Sequence, residues 1–137
     1  VAEQRNPYRA TRPWLRLGFR ATDGSIRHYA FVADTGSAPG LILRPDVMDS
    51  LRFYPYRDRT SNLGTLSGGW VRLYNPELGL VESVIAFGNA RGAELAARSD
   101  PDFVGLIGLP LLRLGEYGGN ATDFWFRYPP TPAASQP

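Results

Sequence analysis

Tyr29-Ala30-Phe31-Val32-Ala33-Asp34-Thr35-Gly36-Ser37-Ala38-Pro39-Gly40-Leu41-Ile42-Leu43 decides how this chain is read. Two apolar runs flank a polar tetrapeptide, Asp34-Thr35-Gly36-Ser37. Taken alone, the tetrapeptide is a good β-turn between two core strands. Upstream, Trp14 to Arg20 alternates, with Leu15, Leu17 and Phe19 on one face, and Thr22-Asp23-Gly24-Ser25 supplies an Asp-Gly hairpin turn into the strand Ile26 to Ala33. Downstream, Pro45 opens a short helix through about Leu51. Residues 52–63 read as loop or the approach to a hairpin. Gly64-Thr65-Leu66-Ser67-Gly68-Gly69 reads as a glycine-rich turn before a strand from Trp70 to Tyr74. Further strands are expected at Leu80 to Phe87, Phe103 to Ile107 and Thr122 to Tyr128, with a second short helix opening at Gly108-Leu109-Pro110. Asn89 to Asp102 fits either a helical turn or a loop. The N-terminal 1–12 segment is polar and lacks periodicity, as an arm would; the tail from Pro129 to Pro137 is Pro/Ala/Ser-rich and expected to be disordered.

Composition agrees with a β-rich single domain. The chain has 137 residues, 43% hydrophobic and 20% charged, enough to bury a core without staples. Its 15 Gly and 12 Pro are too many for a helical bundle. All 15 basic residues are Arg, against 13 acids, and they are scattered rather than blocked, which argues against a nucleic-acid footprint. One His and no Cys exclude disulfides and thiol chemistry and speak against a zinc site; no cofactor is expected. No stretch has the length of an apolar membrane span. The chain opens at Val1 without Met, which reads as a processed or excised domain, the soluble part of a secreted or membrane-anchored protein. The cysteine count leaves the compartment open.

About seventy residues after Asp34 comes Val104-Gly105-Leu106-Ile107-Gly108-Leu109-Pro110-Leu111-Leu112, two apolar residues and a Gly leading into a short helix. Between the two lies the glycine-rich segment Gly64 to Gly69. In this order the three elements resemble those of the retropepsin-like aspartic proteases, over roughly residues 13–128. The resemblance implies an all-β fold, a closed barrel or sandwich with a flap hairpin and one or two short helices. It makes Asp34 the catalytic residue, with Thr35, Gly36 and Ser37 supporting its loop. Gly64, Thr65, Leu66, Ser67, Gly68 and Gly69 become flap candidates. Leu41, Trp70, Ile107 and Gly108 become candidates for the substrate pocket.

The chemistry implied is peptide hydrolysis by paired carboxylates. Two carboxyls about 3 Å apart cannot both ionise, so one acts as base on water while the other protonates the carbonyl oxygen. A chain with one Asp-Thr-Gly must obtain its second carboxylate from a second copy, so the resemblance implies a homodimer with Asp34 facing its twin and a peptide or protein as substrate. Thr35 would bond across the two-fold axis, Gly108 would leave room for the loop above it, and Ser37 would donate to the Asp34 carboxylate, moving the optimum toward acid. The arm and the strand Asp123 to Phe126 are candidates for intersubunit pairing. Apolar walls at Leu41, Leu66, Trp70 and Ile107 imply cleavage between bulky apolar residues.

One departure is clear. Retroviral members usually pair an Asp four residues after the catalytic Asp with an Arg directly after the later Gly; here those positions are Ala38 and Leu109, which favours a cellular or bacterial relative. The alternative within the same fold is a catalytically silent dimerisation or peptide-binding domain. A serine hydrolase built on Ser37, His28 and Asp34 lacks the nucleophile-elbow motif.

Overall fold

A computed structural model describes residues 2–129. The expectation of a disordered tail concerns residues that, but for Pro129, lie outside the described ones. Strands dominate, as the turn-rich composition requires. They run β1 (Ala2–Pro7), β2 (Trp14–Arg20), β3 (Ile26–Ala33) and β4 (Leu41–Leu43), followed by helix α1 (Pro45–Leu51). Next come β5 (Tyr54–Pro55), β6 (Arg59–Ser61), β7 (Gly64–Asn75) and, after a 3-10 turn at Pro76–Leu78, β8 (Leu80–Gly88). Helix α2 (Ala90–Ala97), β9 (Phe103–Ile107), α3 (Leu109–Leu112), β10 (Glu116–Gly119) and β11 (Asp123–Tyr128) complete the described chain.

Six strands close on themselves in the order β2-β3-β9-β4-β8-β7. The ring is sealed where Phe19 and Arg20 of β2 meet Leu73 and Arg72 of β7. Leu15, Leu17 and Phe19, the alternating face read from the sequence, are fully buried, as are Phe31, Leu41, Leu43, Val71 and Leu73. Each such side chain contributes about 2 kcal/mol of apolar burial, so the barrel is a rigid mount for the loops at its rim. A smaller cluster of Val32, Ile42, Ala96, Phe103 and Leu106 packs beneath α2.

Three expectations change. The ambiguous Asn89 to Asp102 segment carries a true helix, so three short α-helices are present among the described residues rather than one or two. Gly64 to Gly69 is not a turn but the first half of β7; Gly68 and Gly69 are buried and pair with Phe87 and Ala86 of β8. The polar arm is a strand: β1 pairs with β11 over six residues, and β10 flanks β11 on its other side. The arm and the Asp123 to Phe126 strand, expected to pair between subunits, therefore pair with each other within one chain. Apolar periodicity could not announce β1 because two of its three inward residues, Gln4 and Asn6, are amides. Gln4 both accepts from Arg16 N (2.7 Å) and donates to Arg16 O (2.8 Å), and Asn6 donates to Trp14 O (3.0 Å), so side chains extend the open edge of β2.

Candidate active site

Asp34 stands where β3 ends, and the backbone there is tied to β9 and α3. Asp34 N donates to Ile107 O (2.8 Å), Gly108 N to Gly40 O (2.9 Å) and Leu109 N to Ser37 O (3.3 Å). These bonds straddle Gly108, whose backbone passes so close under the loop that a Cβ there would overlap Pro39 O and lie 2.5 Å from Ser37 O. Only a residue without a side chain fits. Within the loop, Gly36 N donates to Asp34 Oδ1 (3.0 Å) and Ser37 N to Asp34 O (3.0 Å), which closes a tight Asx turn. Asp34 is half-buried while Thr35 and Gly36 are exposed at the apex. Among the described residues, Asp34 Oδ2 has no hydrogen-bond partner and no cation forms an ion pair with this carboxylate.

The Ser37 hydroxyl is placed differently from the expectation. It donates to Pro39 O (3.3 Å) and not to Asp34. The carbonyl two residues on lies within the same turn, and a hydroxyl takes the nearest acceptor that its backbone offers.

Asp34, Gly36 and Ser37 form one wall of a cavity of about 560 Å³, well within the range of ligand sites. The opposite wall is a hairpin made by β6 and the start of β7, with Ser61 opposite Gly64, Thr60 opposite Thr65 and Arg59 opposite Leu66. Its tip is Asn62-Leu63. Gly64 there takes φ +94°, the left-handed residue that follows a type I turn in a bulged hairpin. The tip of this hairpin lies just before the Gly64 to Gly69 segment. Leu66 and Leu106 line the cavity as apolar floor, joined by the exposed Leu95 of α2.

A second cavity of about 420 Å³ lies alongside and shares Ala38, Pro39 and Arg59 with the first. Trp70 and Tyr56 stand in its wall, their rings edge-on at 6.0 Å, with Phe87 and Leu111 deeper. Of the residues lining the two cavities, only Asp34 and Arg59 are charged. Leu41 and Ile107, expected in the pocket, are fully buried core residues beneath the loop and line neither cavity. Gly108 is buried under the loop and likewise lines neither; Trp70 lines the second cavity. His28 is exposed on β3 opposite Gly18, bonded to neither Ser37 nor Asp34. Among the described residues no group of three or more His, Cys, Asp or Glu is placed to hold a metal ion.

Sequence reasoning missed Arg59, Asn62, Leu63 and Leu95. A signal for Leu95 was present: Asn89 is a good N-cap, and Ala-Arg-Gly-Ala-Glu-Leu-Ala-Ala is rich in helix formers. The hairpin tip gave a weaker one, Ser61-Asn62-Leu63-Gly64, which ends in the glycine such turns use. No family model, curated protein or solved structure matches the chain.

Proposed function

We propose that the protein is an aspartic endopeptidase of the retropepsin type, in which two chains pair and each contributes Asp34. The observation that carries this reading is the Asp34 loop: a half-buried carboxylate with one oxygen unpartnered, pinned by backbone bonds over Gly108, facing a cavity roofed by a hairpin. A carboxylate needed only for its turn has no use for such a cavity. The exposed Thr35 and Gly36 form the apex that would meet its twin across a two-fold axis. An isologous contact brings identical loops together with the fewest new surfaces.

In the paired enzyme an extended peptide lies between loop and hairpin. The ionised Asp34 takes a proton from water as the oxygen attacks the scissile carbonyl. The protonated Asp34 of the partner gives its proton to the carbonyl oxygen, forming a gem-diol. Collapse of the diol breaks the C–N bond: one hydroxyl returns its proton to the partner's Asp34, and the amine leaves with a proton from the first carboxyl. Side chains of the peptide would occupy the two flanking cavities. Their walls favour apolar and aromatic residues, and Arg59 between them favours an acidic neighbour over a basic one.

The test is subunit mixing. Wild-type chain is titrated with inactive Asp34→Asn chain at fixed total substrate, and peptide cleavage is followed. A shared dyad requires activity to fall as mixed dimers form. Cleavage proportional to wild-type chain alone, at any excess of the variant, would overturn the two-chain site.

A further inference from the structure

Asn89 is 8% exposed and caps α2, its Oδ1 accepting from Gly92 N at 2.8 Å. Capping needs an acceptor only, and Ser, Thr or Asp would supply it. The other end of the same amide points out of the helix. Nδ2 donates to Leu63 O (3.3 Å) and to Thr65 O (3.1 Å). Both carbonyls belong to the hairpin over the Asp34 cavity, one at its tip and one just past Gly64. With a donor on one side and two acceptors on the other, both N–H groups and one of the two oxygen lone pairs of this amide are used, which fixes its orientation. Asn89 is itself anchored, its backbone N donating to Leu43 O (2.9 Å) at the end of β4.

Packing supports the same link. The Leu63 side chain leans on the cluster of Ile42, Ala96 and Leu106 beneath α2. The hairpin has three residue pairs and would be marginal alone, so a few contacts to the body decide where it rests.

We propose that Asn89 is a latch for the flap, a positioning residue that holds the β6–β7 hairpin down over the Asp34 cavity through two donated hydrogen bonds. Helix α2 is then the catch plate, and the hairpin opens when the Asn89 bonds break and Leu63 lifts. The latch stands on its own geometry; its consequence for turnover rests on the peptidase reading above.

Asn89→Asp separates the two roles. The carboxylate still caps Gly92 N but has no proton to give Leu63 O or Thr65 O. Hydrogen exchange of the full chain, read by mass spectrometry, should show the amides of residues 59–66 exchanging about tenfold faster or more, the effect of losing one to two ordinary hydrogen bonds. Those of residues 93–97 should be unchanged. Asn89→Ser, also a competent cap but too short to span to the hairpin, should do the same if Asp disturbs folding. With peptide substrate, KM should rise severalfold while kcat changes less, because the roof holds substrate loosely. Hairpin and helix accelerating together, or neither accelerating, would mean that Asn89 acts as a cap alone and would overturn the latch. If no peptide is cleaved by the wild type, the peptidase reading fails while the exchange result still decides the latch.

Discussion

The chain contains two short turns of nearly the same composition, Asp23-Gly24-Ser25 and Asp34-Thr35-Gly36-Ser37, and they put their carboxylates to opposite use. Asp23 spends both oxygens on its own hairpin. Oδ1 accepts from Ser25 N (2.9 Å) and from the Ser25 hydroxyl (2.6 Å), and Oδ2 pairs with Arg27 (3.2 Å). The turn is open to solvent, and its Gly24, at φ +86°, has no neighbour within 4 Å of where a Cβ would stand. Asp34 commits one oxygen to Gly36 N, leaves the other without a partner among the described residues and lines a cavity, while its serine turns away to Pro39. Local sequence makes both turns; packing against β9 and α3 seats only one of them beside a cavity.

The largest test of this contrast is on activity. Asp34→Asn keeps an acceptor for Gly36 N, so the loop should remain folded, yet it removes the proton exchange on which the proposed dyad depends. Peptide cleavage should drop by roughly a thousandfold or more, in line with the loss of an acid–base group. Asp23→Asn should leave cleavage within about a factor of two. Circular dichroism on both variants checks the fold. Comparable losses from the two substitutions would erase the distinction between the turns.

The glycines should differ next, in stability. Gly108→Ala drives a methyl into Pro39 O and Ser37 O, both backbone atoms that cannot swing aside. About 3 kcal/mol of destabilisation is expected from overpacking, with the Asp34 loop displaced. Gly24→Ala meets no atom and is penalised only for its left-handed backbone, about 1 kcal/mol. Urea titration of both variants measures the gap. A Gly108→Ala chain as stable as Gly24→Ala would mean that the loop is not seated on the segment beneath it.

The seating over Gly108 was legible only through the resemblance, which sets Leu106-Ile107-Gly108 beneath the Asp34 loop; the sequence around Gly108 does not by itself record the close approach to Pro39 O and Ser37 O. The barrel strands were legible locally: Leu15, Leu17 and Phe19 alternate as a half-buried strand must. What stayed hidden depends on partners distant in sequence. Asn89 reaches across to Leu63 and Thr65, and nothing local to either segment records it. Gln4 and Asn6 are inward residues of a strand whose core-facing side is mostly polar, which obscures the alternation used to find strands. Leu41 and Ile107 are apolar and near the loop, as a pocket wall would be, yet register turns both into the barrel. Gly64 to Gly69 was assigned to a turn because glycine usually marks one; two of its three glycines instead lie buried in a strand, paired with β8.

The smallest effects should come from the two serines, and they should differ in kind. Asp23 is held down to about 2, chiefly by the Ser25 hydroxyl, then by Ser25 N–H, with Arg27 adding less. Its folded pKa lies below the ordinary 3.8, so the unfolded chain binds the proton more readily. The turn's contribution is therefore complete above about pH 4 and is lost as pH falls through the folded value near 2. Ser25→Ala removes the largest cause, and the Asp23 carboxyl resonance in an NMR titration should move its midpoint up toward 3.8. A midpoint that stays near 2 would assign the effect to the backbone N–H and Arg27. The Ser37 hydroxyl makes no hydrogen bond to its carboxylate, because it is given to Pro39 O. Ser37→Ala should leave the acid limb of the pH–rate profile where it stands in the wild type. Movement of that limb to higher pH in the variant would show that the hydroxyl swings onto Asp34 when two chains pair, and that the two turns become alike in the assembled site.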